Sequence, residues 1–244
     1  MNRTPEFGVA ESLADSEAFG IRIGRITLSR ANRSNLDYLS FEGFDCVIID
    51  DIDSISSLRI LQNHRELRYA GTIVYWVGNS DWLELRRSSE LYQGIELVTA
   101  NESNLRKFVE VCLDAFDGYV SHYAYSPTLD SKPVNSSYAD WITRKYSHPN
   151  FILVGYEIEG SLASFALCEY KTGSIEVLLA GTAKKHRKSG AYTSLINSLA
   201  HKTPSSISEF LISTQAANIE VQKLWSKFGL LPQKTITRYH LWLN

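Results

Sequence analysis

The sequence predicts an α/β protein in which a mixed central sheet is preceded by a smaller α/β unit, and three observations predict it. In the first third, continuous apolar strands alternate with helical stretches, the pattern of a sheet covered on both faces. In the middle, three apolar strands follow one another with tight turns between them, a connection open to antiparallel strands. Near the end a basic loop runs from a strand into a helix, and a further strand, helix and strand close the chain. The prolines suggest the division: none falls between Pro5 and Pro127, and four follow Pro127. The smaller unit is expected over 1–90 and the larger over 91–244.

The front unit reads as strand GIRIGRITL (20–28), a helix over about 33–41, strand FDCVIID (44–50), a helix around 54–67 and strand GTIVYWV (71–77). Gly20 and Gly24 lie inside a strand pattern with no glycine-rich turn into a helix after them, so they do not form a dinucleotide fingerprint. The polar stretch 78–94 reads as a connector with about one helical turn. From Ile95 come strand IELVTA and a helix over about 103–116, capped by Asn101 or Ser103. An aromatic loop, 117–137, leads into helix SYADWITRKYS, which stops before Pro149 because the residue preceding proline disfavours helical geometry. Strands FILVGYEI, SLASFALCEY and SIEVLLAGTA follow, joined by Glu159-Gly160 and by Lys171-Thr172-Gly173. A helix of about 190–202, strand EFLISTQ, a helix of about 218–228 and the alternating strand TITRYHLWL complete the chain.

Composition excludes several classes. Of 244 residues, 44% are hydrophobic and 21% charged, an ordinary globular balance, and the net charge of −2 supplies no positive field for a phosphate backbone. Nucleic acid is not an expected partner. No apolar run reaches the roughly 18 to 20 residues of a membrane helix, and the first residues lack the apolar core of a signal peptide, so the expected location is the cytoplasm, away from the membrane. Cys46, Cys112 and Cys168 are far apart among apolar neighbours and read as reduced core residues. No histidine pair has ligand spacing, so no metal is expected.

The strongest chemical signal is the strand SIEVLLAGTA running into His186-Arg187-Lys188-Ser189-Gly190-Ala191-Tyr192 at a helix start. Free N–H groups at a helix N-terminus and its positive dipole end suit a pyrophosphate, and glycine lets the backbone approach closely. Lys184, Lys185, Arg187 and Lys188 add local positive charge. The segment resembles the coenzyme-binding motif of GNAT-type N-acetyltransferases, Q/R-x-x-G-x-G/A. Arg187 and Gly190 match, and Tyr192 stands where the pattern has Gly or Ala. The order of elements from Ile95 onward is similar to the GNAT fold, with the front unit similar to a truncated copy of it. The resemblance implies acetyl-CoA as co-substrate, bound by Arg187, Lys188, Ser189, Gly190, Ala191 and Tyr192. It also implies that Leu178, Leu179 and Ala180 offer exposed strand backbone to pantetheine and an N–H to the thioester oxyanion.

Asn218, Val221, Trp225 and Gly229 resemble the family's closing signature, N-x-x-A-x-x-x-Y-x-x-x-G, with Asn218 on the coenzyme and Trp225 in place of the tyrosine that protonates the departing thiolate. An indole N–H donates a hydrogen bond but not a proton, so that acid step does not carry over. For a general base the candidate is Glu176, a carboxylate in an apolar strand. Strand alternation places it on one face with Leu178 and Ala180. Asp117, His122 and Asp140 are rival bases.

Asp15-Ser16-Glu17-Ala18-Phe19-Gly20 through Gly24-Arg25, the stretch Tyr138-Ala139-Asp140-Trp141-Ile142 and Leu178-Leu179-Ala180-Gly181 are similar to motifs of one branch, the TDP-fucosamine acetyltransferases. That resemblance implies a nucleotide-linked amino-deoxy sugar as the small-molecule amine, attacked directly in a ternary complex. Tyr119, Tyr123, Tyr125 and Tyr138 offer rings and hydroxyls for such an acceptor, with Tyr123, Tyr125 and Tyr138 as the expected contacts. A homodimer stays open, as do an acceptor among protein or antibiotic amines and a coenzyme-binding module without turnover.

Overall fold

The computed structural model describes residues 8–29, 40–52, 66–92, 95–126, 129 and 134–243. The expected helices over 33–41 and 54–67 fall almost wholly outside these residues. The described elements are β1 (Ala10–Glu11), α1 (Leu13–Phe19), β2 (Ile23–Leu28), β3 (Cys46–Asp51), β4 (Leu67–Gly78), α2 (Ser80–Arg87), β5 (Val98–Thr99), α3 (Leu105–Ala115), α4 (Val134–Lys145), β6 (Phe151–Ile158), β7 (Ser161–Lys171), β8 (Ser174–Thr182), α5 (Ala191–His201), β9 (Glu209–Gln215), α6 (Ile219–Lys227) and β10 (Leu231–Trp242). No helix among the described residues is long and apolar enough to cross a membrane.

All ten strands join one mixed sheet in the order β1-β2-β3-β10-β4-β9-β8-β7-β6-β5. The β2/β3 and β8/β9 pairs are parallel, and the other adjacent pairs are antiparallel. The expected mixed α/β architecture is present. Strand pairing crosses the expected division near residue 90 in both directions: β4, from the front of the chain, pairs with β9, and β10, the last strand, lies between β3 and β4. The front and rear segments therefore share backbone hydrogen bonds along three consecutive ladders.

Local sequence explains the rear half. The Glu159-Gly160 turn has φ of 50° and 74°, the left-handed pair that a two-residue hairpin needs to match the strand twist. Helix α3 buries Phe108, Val111 and Cys112 at helical spacing against β6, β7 and β8 with help from Ala139 and Ile142 of α4. On the opposite face Leu195, Ile196 and Leu199 of α5 and Trp225 of α6 form the second core with Ile175, Val177, Phe210 and Ile212. The stretch expected as a connector holds a full helix, α2. Asn79 caps it by accepting the Trp82 N–H at 3.0 Å, and the buried Trp82 indole donates to the Phe228 carbonyl at 2.7 Å. Two buried residues, Trp82 and Leu83, are too few to give a helical period in the sequence. The three cysteines are free and buried, and burial pushes the thiols of Cys46 and Cys112 up to about 12.

Candidate active site

Strands β8 and β9 pair in parallel from Ser174↔Glu209 to Val177↔Ile212 and then part. Strand β9 continues to Gln215 along β4, while β8 continues to Thr182 along β7. At the parting point β8 carries a bulge: Val177 lies opposite Cys168 and Leu179 opposite Leu167, so Leu178 has a register partner on neither side. The bulge also reverses the alternation. Val177 and Ala180 pack on the α5/α6 core, and Leu179 packs on the α3/α4 core. The expectation that Glu176 shares a face with Ala180 is thus corrected. Glu176 shares its face with Leu179, because one extra residue between them shifts the period by one.

A cavity of about 600 Å³ occupies this opening and is lined from both faces of the sheet. On one face the walls are Glu176, Tyr75, Arg238, Arg25 and Asp15 with the rings of Phe19, Phe116, Tyr119, Tyr138 and Trp141; from the other face come Tyr192, Asn218, Val221 and Trp225. Leu178, Leu179 and Ala180 lie between them.

The first face carries a chain of charged groups. The Glu176 carboxylate, 14% exposed, accepts from Lys171 Nζ at 2.6 Å, and Lys171 also lies 3.2 Å from Glu169; these hydrogen bonds hold the Lys171 ammonium above its ordinary range. Tyr75 sits nearby, its phenol pushed up by burial and then by Glu176. Arg238 grips Asp50 with two N–H groups at 2.6 and 3.0 Å. Arg25 donates to Asp15 at 2.7 Å, and Asp15 also accepts from Ser12 at 2.6 Å and from the Tyr123 hydroxyl at 2.6 Å. Behind them His122 Nδ1 and His240 Nε2 are 3.1 Å apart. Burial first, then Arg238, pushes both imidazoles down, His240 to about 4, so the pair is neutral near pH 7.

Burial raises the Asp15 carboxyl, but the Arg25 charge and the three hydrogen bonds outweigh it and leave the group below its ordinary range. A carboxyl depressed in the folded state stabilises the fold fully above its unfolded pKa of about 3.9, and that stability is lost as pH falls through the lower folded value. Asp15→Asn is expected to cost about 2 kcal/mol at pH 7, a figure reduced for the one-third exposure of Arg25. Urea unfolding at pH 7 and pH 3 checks this: the gap between wild type and variant should narrow at pH 3. A gap of equal size at both would show that the carboxylate charge contributes nothing.

On the second face Trp225 is 1% exposed, stands edge-on to Trp76 at 6.2 Å and donates its Nε1–H to the Tyr192 hydroxyl at 3.1 Å. Asn218 donates to Thr214 Oγ1 at 3.0 Å. The cavity lining passes from Ala180 to Tyr192, and the Arg187–Ala191 loop lies just outside it. Gly190 is the N-cap of α5 at φ 86°, the Ala191 N–H reaches Ser189 Oγ at 3.3 Å, and the next two N–H groups of the helix have no intrahelical acceptor. The end of α3 and the residue Asp117 just after it hold the loop: Asp114 accepts the Lys184 N–H at 2.6 Å, Asp117 pairs with the Lys184 ammonium, and Arg187 donates to the Ala115 carbonyl at 2.9 Å. Lys185 reaches Ser161 Oγ at 3.0 Å, and Lys188 takes φ 65°.

The aromatic loop differs from expectation. Residues 122–125 form a 3-10 turn, in which side chains two apart point about 240° from each other. Tyr123 is therefore buried, with its proton committed to Asp15, and forms wall; Tyr125 is 46% exposed, stands edge-on to Tyr69 and is not among the cavity-lining residues. Tyr138 lines the cavity against Phe116 and Tyr119. Among the rival bases, His122 and Asp140 line the cavity, and Asp117 is occupied by Lys184. Sequence reasoning assigned no site role to Asp15, Arg25, Tyr75 or Arg238. Charges inside strands β2 and β10 were the signal available for the two arginines. Among the described residues no group of three or more candidate ligands could hold a metal.

Scanned against protein-family models and against curated proteins, the sequence matches none. The fold is shared with solved structures. A functionally unknown conserved protein from Staphylococcus epidermidis superposes on 100% of this chain and 94% of its own with a TM-score of 0.64 at 10% identity. A putative acetyltransferase of the GNAT family from Novosphingobium aromaticivorans covers 93% of this chain and 86% of its own, with a TM-score of 0.53 at 12% identity. A tandem GNAT protein from the clavulanic acid biosynthesis pathway covers 90% and 75%, with a TM-score of 0.53 at 10% identity. The similarity to these GNAT proteins over most of the chain shows that the fold of this chain is the GNAT fold.

Proposed function

We propose that the protein is an N-acetyltransferase that moves the acetyl group of acetyl-CoA to the amine of a nucleotide-linked amino-deoxy sugar. The observation that carries the reading is the cavity through the opening between β8 and β9, where β8 has lost β9 beyond Val177 and the bulged Leu178 has no register partner on β7. Unpaired strand backbone of this kind is what an extended amide chain such as pantetheine fills, and an N–H there stabilises the oxyanion of an attacked thioester. The α5 N-terminus lies one residue beyond the cavity and suits the coenzyme's pyrophosphate. The acceptor enters from the face of Glu176, where the carboxylate takes the amine proton after attack on the acyl carbon. In this reading residues 1–90 add Asp15, Arg25 and Tyr75 to the acceptor wall, and residues 91–244 supply the coenzyme side and the rest of that wall.

The nucleotide-sugar acceptor is supported by the three short motifs, by a cavity in the size range of small-molecule sites, and by a wall combining rings with carboxylates and guanidinium groups. The test is incubation with acetyl-CoA and TDP-4-amino-4,6-dideoxygalactose, following free thiol and the mass of the sugar. One thiol released per acetyl gained is the expected result. Turnover with peptides or aminoglycosides but not with nucleotide-linked amino sugars would overturn the acceptor; binding of acetyl-CoA with no turnover on any amine would leave a coenzyme-binding module.

A further inference from the structure

Two residues that depart from the resembled pattern, Tyr192 and Trp225, meet in space. They come from different helices, α5 and α6, and line the same end of the cavity, on the coenzyme side of the sheet. The Trp225 Nε1–H donates to the Tyr192 hydroxyl at 3.1 Å. A hydroxyl that accepts one hydrogen bond keeps its own proton to give. Tyr123 is the opposite case, because its proton already goes to Asp15. The geometry points to Tyr192 as the residue that protonates the departing thiolate, with Trp225 as the positioning residue that holds its oxygen and stabilises the phenolate.

This assignment rests on the acetyltransferase reading above. The amine lone pair forms the C–N bond, and the carbonyl π pair moves to oxygen. On collapse that pair returns, the C–S bond breaks with its electrons on sulfur, and sulfur takes the Tyr192 proton. Glu176 removes the proton from nitrogen and releases it to solvent, and Tyr192 regains one from solvent through the cavity, so the products are the acetamide and coenzyme A thiol. Burial pushes the Tyr192 phenol up, so the proton-bearing form is present at working pH, and the Trp225 hydrogen bond acts in the other direction.

The test uses Tyr192→Phe, Trp225→Phe and the double variant with acetyl-CoA and TDP-4-amino-4,6-dideoxygalactose, or hydroxylamine if the sugar is refused. Tyr192→Phe should lower kcat about 10- to 100-fold with the dissociation constant of acetyl-CoA, by calorimetry, within about twofold. Trp225→Phe should lower kcat less, and it should have no further effect once Tyr192 is phenylalanine, a coupling that a packing role would not produce. A Tyr192→Phe variant within about threefold of wild-type kcat overturns the proposal, as does one that loses coenzyme affinity instead of rate. If wild type itself fails to bind acetyl-CoA, the acetyltransferase reading falls and this assignment with it; if wild type turns over and the variants do not separate, only the assignment falls.

Discussion

Glu176→Gln should lower kcat by about 10² to 10⁴ at neutral pH and leave acetyl-CoA affinity unchanged within about twofold. The side chain is 14% exposed, lies on the acceptor face and opens into the cavity one residue before the strands part. Among the described residues its cationic contact is Lys171, 2.6 Å away, on the neighbouring strand and outside the cavity lining. Glutamine keeps the volume and can still accept from Lys171, so the substitution removes the capacity to take a proton and little else. Coenzyme affinity is the control because the proposed coenzyme contacts are the β8 backbone beyond Val177 and the α5 N-terminus, not the Glu176 side chain. If Glu176 only ties β8 to β7 through Lys171, the variant should keep kcat within about threefold and lose under about 1 kcal/mol of stability, the scale of a half-exposed ion pair. Steady-state rates with the acceptor varied, together with urea midpoints, separate the two roles.

What the sequence discloses and what it withholds follow from the range of the interactions involved. Strands β6 and β9 are legible to the residue, since 151–158 is a largely apolar run and 209–215 has an apolar centre, Phe-Leu-Ile, each between turn residues. Helix α1 is not. Its sequence, LADSEAF, is short and places Asp, Ser and Glu in its middle, Leu13 is 66% exposed, and what fixes it is Asp15 reaching Arg25 and the distant Tyr123. The alternation of TITRYHLWL announces a strand, but no local pattern says that it lies between β3 and β4, some 190 and 165 residues earlier in the chain. The bulge at Leu178 is a single residue with no glycine or proline to mark it, so the face of Glu176 relative to Ala180 was read one step out. The segment proposed for the coenzyme, Leu178 to Tyr192, is local in sequence, so its strand, basic loop and helix start can be read there. The acceptor half gathers Asp15, Arg25, Tyr75, Glu176 and Arg238 from five elements, and only the folded sheet brings them together.

Gly190→Val should weaken acetyl-CoA binding by about 2 to 4 kcal/mol, roughly 30- to 1000-fold, the scale of one or two lost charge-assisted hydrogen bonds. Gly190 has φ 86°, and, its chain neighbours apart, a Cβ built there meets no atom of the described residues within 4 Å. The protein itself thus leaves the space in front of the α5 N-terminus open, and any side chain at 190 projects into open space beside the first turn of that helix. Two costs then need to be told apart. The left-handed backbone strains any β-branched residue by about 1 to 2 kcal/mol whether or not a ligand is present, which for a chain of this size lowers the melting temperature by a few degrees. The second cost exists only if a pyrophosphate lies against those N–H groups, and calorimetry on the folded variant reads it free of the first. Loss of melting temperature with unchanged affinity would mean that the glycine serves the turn alone. Loss of both, with affinity falling by more than the strain accounts for, places the phosphates on the helix start, because no protein side chain is there to be displaced.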